Sequence, residues 1–136
     1  MSNKRYIALL AALFMGACSS CASEHDDADD ARRTRQAGYV IGLAKIMCNV
    51  PEVRLSAFRV ATTVGARGDA ELEAQFMTGW RSAEEDYNAI VHKGWLADVR
   101  PKACPRILKA IDSHNAPSAR ELLDCGKSCP ELSSAR

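Results

Sequence analysis

The chain has 136 residues, the length of one domain, and its 18 Lys plus Arg almost cancel its 17 Asp plus Glu. A balance this close argues against the large net excess of base that marks nucleic-acid binders, so no nucleic acid is expected as a partner. The balance is an average over unlike parts: residues 19–30 hold Glu24, Asp26, Asp27, Asp29 and Asp30 without a base, whereas residues 31–136 hold 16 bases against 12 acids.

The first element in chain order is an export signal. Lys4 and Arg5 form its charged start, Tyr6 to Met15 its apolar run, and small residues follow. The apolar run is about half of the roughly 20 residues that a helix needs to cross a bilayer, so it is not read as a membrane span. Met15-Gly16-Ala17-Cys18 resembles the bacterial lipobox, with Met15 where leucine is more usual. The resemblance implies that residues 1–17 are removed, that the Cys18 thiol gains a diacylglyceryl group and that its freed amino group gains a fatty-acyl chain such as palmitate. Two acyl chains already anchor a protein stably, so three would hold it to a membrane. Ser19 is similar to the non-acidic residue that lets such lipoproteins pass on to the outer membrane. A rival reading is cleavage after Ala22, where Ser20 and Ala22 supply the small residues, releasing a soluble periplasmic or secreted protein. Cysteine parity favours the rival. It leaves Cys48, Cys104, Cys125 and Cys129 as an even set, while lipidation leaves Cys21 over. Both readings export the chain to an oxidising compartment, where disulfides are expected.

Beyond the signal the periodicity is helical, and no stretch alternates long enough to suggest a sheet. Residues 18–36 read as a lipidated, charged tether or stem, with Asp29 facing Arg32 and Arg33 along one helix side. The same helix turns apolar from Ala37 to Met47, and Gly38 with Gly42 would admit a second helix closely. Asn49-Val50-Pro51-Glu52 marks a helix start, with Asn49 as the cap and Pro51 in the first turn. The second helix, to about Ala66, has Val53, Ala57, Val60, Ala61 and Val64 as its expected inner stripe. Asp69 caps a third helix in which Leu72, Phe76, Trp80, Ala83, Tyr87, Ile90 and Val91 recur at spacings of three and four, and Gly94 ends it. Trp95 to Lys102 reads as a connection bounded by Pro101. A fourth helix follows from about Cys104 to Ser113, then a fifth carrying Ala119, Leu122 and Leu123. The helical domain is thus expected over 37–125, with a tail at 126–136. The fold class is all-α, a small bundle of about five antiparallel helices stapled by disulfides.

Alternation of helix direction brings all four domain cysteines to one end, leaving three connectivities open. Cys48 with Cys104 is favoured because it closes a long loop, and Cys125 with Cys129 would then be the second bridge. A zinc site or redox pair from these thiols is disfavoured, since Cys48 and Cys104 lack near neighbours and no C-x-x-C is present. No metal or other cofactor is expected. His25, His92 and His114 have no ligand spacing. Gly126-Lys127-Ser128 lacks the upstream glycine of a phosphate loop, Glu121 standing in its place. Arg67-Gly68-Asp69 is explained by a helix stop followed by a cap. Glu84, Glu85 and Asp86 read as a solvated face, and Trp80 and Trp95 as core or the lining of a cleft near Cys48. Without a nucleophile and its base, a paired acid and base, or a metal site, the chain reads as no enzyme. The expectation is a non-catalytic envelope lipoprotein held at the membrane by its anchor and binding an envelope protein partner. The alternative is a soluble chaperone or inhibitor.

Overall fold

The computed structural model describes residues 19–62 and 69–124, with side chains from Asp27 onward. Its elements are five helices: α1 Ser19–Ile46, α2 Glu52–Thr62, α3 Ala70–His92, α4 Leu96–Asp112 and α5 Ala119–Leu123. The all-helical class follows the periodicity of the sequence.

α1 is one continuous helix from the charged block into the core. Asp29 stitches its polar half through Arg32 at 3.0 Å and Arg33 at 3.6 Å. Burial begins at Thr34, and Ala37, Tyr39, Val40, Ile41, Leu43 and Ala44 are all enclosed. Its most extensive packing is on α3. Arg35 donates to Gln75, Gly38 lies against Phe76, and Gly42 lies against Trp80 and Ala83. Because the contacts rise together along both chains, α1 and α3 run in the same direction. This is the outcome when a descending helix separates two rising ones.

Glycine sets how closely they approach. A Cβ at Gly38 would overlap the Phe76 carbonyl, one at Gly42 would stand 2.7 Å from the Ala83 Cβ, and one at Gly79 would overlap the Arg35 carbonyl. Gly38 and Gly42 therefore do admit a second helix closely, and Gly79 answers them from the opposite side.

α2 descends between them in the chain, from the end of α1 back toward the start of α3. Lys45 of α1 meets Glu52 at its start, and Arg59 near its end meets Glu73 at 2.8 Å and lies 4.3 Å over the Phe76 ring. It buries Leu55 and Phe58. This corrects the expected stripe: Val53 is 76% and Val60 50% exposed, with Ala57 and Ala61 also exposed. The helix is apolar on two opposite sides, and the larger Leu55 and Phe58, with more area to remove from water, take the core side. Val64 lies outside the described residues.

Two helix boundaries also differ from expectation. Asn49 closes α1 instead of capping α2: its φ is 53°, and the Val50 N–H reaches back to the Ala44 carbonyl at 3.0 Å. The Pro51 carbonyl instead opens α2 by accepting from Arg54 and Leu55. α4 begins at Leu96, so Trp95 to Lys102 is not a connection and Pro101 and Pro105 both lie inside the helix. Both prolines are exposed, as is Ala97, whose carbonyl loses its intrahelical donor to Pro101. Solvent can serve that carbonyl while Ala103, Ile107, Ala110 and Ile111 hold the other side of the helix in the core. Asp69 does cap α3, accepting from the Glu71 and Leu72 amides.

α4 is fixed at three points. Its start follows Gly94 at the end of α3, Cys104 in its middle joins Cys48, and Asp112 at its end pairs with Arg54 in the first turns of α2. All three points lie toward the end of the bundle where α1 finishes, so α4 crosses that end obliquely instead of descending in full alongside. α5, capped by Ser118, adds Leu122 and Leu123 beneath it.

Candidate functional site

The sequence singles out cysteines, acids, histidines and two tryptophans, and the fold treats them differently. Cys48 and Cys104 form a disulfide with Cα atoms 5.6 Å apart, spanning a sequence separation of 56 residues. Cys18, Cys125 and Cys129 lie outside the described residues, as does the side chain of Cys21, so the one staple described is Cys48–Cys104. Among the described residues no group of His, Cys, Asp and Glu could hold a metal ion. His92, the last residue of α3, and His114, in the turn after α4, are both exposed.

Asp86 is the chief surprise. Read as part of a solvated face, it is instead 1% exposed, and the Tyr39 hydroxyl donates to its Oδ2 at 2.7 Å across the α1–α3 interface. The spacing already carried this, since Asp86 falls three after Ala83 and four before Ile90 on the same helix side. Its charge type pointed outward, whereas Tyr39, placed on α1, supplies a buried hydrogen-bond donor. Glu84 stays on the surface and accepts from the Trp80 indole at 3.1 Å. The Tyr39–Asp86 pair joins two helices inside the core, which gives it a structural use.

The two tryptophans separate. Trp80 is half-buried, flanked by Lys45 and Glu84, and packs on the core. Trp95 stands at the α3–α4 turn, 39% exposed, with the Lys93 ammonium 5.0 Å from its ring. Val91 beside it is 45% exposed. These residues surround the turn made by Gly94, whose φ is 74°. Elsewhere ion pairs join Asp29 to Arg32 and Arg33, Glu52 to Lys45, Asp112 to Arg54, Glu73 to Arg59 and Asp124 to Arg106. Among the described residues Trp95 is the large aromatic side chain on the surface, and the Lys93 ammonium stands beside it. No described helix is long and apolar enough to cross a membrane. No family model, curated protein or solved structure matches the chain.

Proposed function

We propose that this chain is a non-catalytic cell-envelope lipoprotein, acylated at Cys18 and held at a membrane, whose disulfide-bonded helical domain binds a protein partner. The observation that carries the reading is the order of features: an export signal, the lipobox-like Met15-Gly16-Ala17-Cys18, and a charged helix from Ser19 that runs without a break into the folded domain. The outer membrane, facing the periplasm, fits the non-acidic Ser19. A surface that presents an exposed tryptophan beside a lysine suits recognition.

The soluble alternative, cleaved after Ala22, is favoured by the even set of four cysteines it leaves. Intact mass of the mature protein extracted from membranes decides between them. A chain starting at Cys18 with three acyl groups supports the lipoprotein, and an unmodified Ser23 terminus in the soluble fraction overturns it. Partner binding is tested separately. An envelope protein crosslinked to the intact chain, and lost when the helical domain is removed but the anchor kept, supports it. A chain that stays an unbound monomer in the envelope refutes it.

A further inference from the structure

We infer that the α3–α4 turn is the partner-binding surface of the domain, and that its partner is an acidic protein segment carrying an apolar side chain among its carboxylates. The inference rests on the proposed partner binding and names its surface and chemistry. Residues 91–95 are exposed throughout and are followed by exposed Arg100 and Lys102 in α4. Trp95 and Lys102, seven apart, fall on one side of that helix, the spacing of two helical turns. Across 91–102 the cations are Lys93, Arg100 and Lys102, and the sole carboxylate is Asp98. Asp98 belongs to the first turn of α4, where the helix dipole favours a negative charge.

Asp98 alone stands against three cations in this stretch, which leaves it an excess of positive charge. Carboxylates come within ion-pair distance of Arg32, Arg33, Lys45, Arg54, Arg59 and Arg106; among the described residues none does so for Lys93, Arg100 or Lys102, which share this with Arg35, Arg81, Lys109 and Arg120 but alone among these lie beside the exposed Trp95 in sequence. The chain's own acidic run, Glu24 to Asp30, belongs to the beginning of α1, and the turn lies beyond the other end of that helix. The 28 residues of α1 span about 42 Å at 1.5 Å per residue, so the run cannot reach the turn of the same molecule. Trp95 and Val91 add apolar area that a purely ionic contact would leave wet. Such an aromatic beside a cation is the composition that carries binding energy at interfaces. A protein segment fits better than a bilayer because the apolar part is two separated side chains on a turn, and a helix lying in a membrane surface needs a continuous apolar face.

The test uses the mature chain with Cys48–Cys104 oxidised and a fluorescein-labelled peptide of alternating Glu and Leu, against a matched Lys–Leu peptide and phosphatidylglycerol vesicles. The expected result is saturable binding of the Glu–Leu peptide alone that weakens with salt. It should fall at least about tenfold for Trp95→Ala and for Lys93→Glu with Lys102→Glu. Circular dichroism and melting temperature should stay near those of the parent, because these side chains are exposed. Equal binding of the two peptides, binding unchanged in the variants, or binding to vesicles in place of the peptide overturns the inference. Should an envelope partner still be crosslinked by the Trp95→Ala, Lys102→Glu chain, partner binding stands and this surface falls.

Discussion

Gly79→Ala should destabilise the domain, although in an open helix the same change is favourable by about 1 kcal/mol. Gly79 sits inside α3 where a Cβ would overlap the Arg35 carbonyl and stand 2.9 Å from the Tyr39 backbone nitrogen. Both obstacles are backbone of α1 and cannot rotate away. The helices must part, and overpacking of this kind costs roughly 1–3 kcal/mol, with the upper end apt where nothing flexible can yield. Parting also stretches the 2.7 Å bond from Tyr39 to buried Asp86, worth about 1–3 kcal/mol because the carboxylate has no access to water. Setting the propensity gain against these terms leaves a net loss of about 2–4 kcal/mol, a large share of the roughly 5–15 kcal/mol total stability of a domain. For a domain of about 100 residues this lowers the melting temperature by roughly 10–20 °C. Calorimetry and urea unfolding of the oxidised protein measure it. Gly94→Ala is the control: a Cβ there meets nothing within 4 Å, so its cost is only the about 1–2 kcal/mol of a side chain at φ 74°. A Gly79→Ala protein as stable as the parent, or more so, would refute glycine-limited packing of α1 on α3.

Replacing Cys48 and Cys104 together by Ala removes a cross-link over 56 residues of sequence separation, and the chain-entropy relation gives a loss of about 4 kcal/mol; equal urea midpoints with and without reductant would contradict it. Tyr39→Phe should cost about 1–3 kcal/mol by stripping a buried carboxylate of a donor. Tyr39→Phe with Asp86→Leu should cost less than the two single changes summed, and a double-mutant cycle reads the difference. On α2, Val53→Ser and Val60→Ser should each stay within about 0.5 kcal/mol, whereas Phe58→Ala, fully buried, should cost about 3–5 kcal/mol by thermal unfolding. A large loss from Val53→Ser would restore the stripe expected from sequence.

What was legible in the sequence was what local periodicity and short-range chemistry decide. α3 follows its stripe of three and four because a single apolar side faces a single core, and Asp69 caps it because its side chain reaches amides two and three residues on. Helix direction brought Cys48 and Cys104 to one end but left three connectivities open, and the preference for a long closed loop picked the pair that forms. The misreadings share a different cause, since each needed knowledge of a neighbour distant in sequence. Val53 and Val60 make as regular a stripe as Leu55 and Phe58, and the positions of α1 and α4, together with the larger area of Leu55 and Phe58, decide which side of α2 is covered. Pro101 reads as a boundary by local preference, yet Cys104 is bonded to Cys48 and Ala103 and Ile107 are buried on α1 and its neighbours, so tertiary contacts hold the helix through the proline. Asp86 looked solvated because the hydroxyl that satisfies it lies 47 residues earlier.

The continuity of α1 links the charged segment to the packing of the core. A flexible tether would let the domain take any orientation to whatever holds its N-terminus. A helix that passes from Ser19 through the Asp29 ion pairs and into the glycine-set contact with α3 transmits direction. Since α3 runs parallel to α1 and outlasts it, and α4 is bonded across the same end by Cys48–Cys104, the turn bearing Trp95 is carried at the pole opposite Ser19. Were Cys18 acylated as proposed, the cationic, aromatic turn would stand at the far end of the domain from the anchor, about the length of α1 away. The disulfide then has a use besides stability: it fixes the helix that carries Lys102 and follows Trp95 to the end of α1, so both residues keep their position relative to that helix.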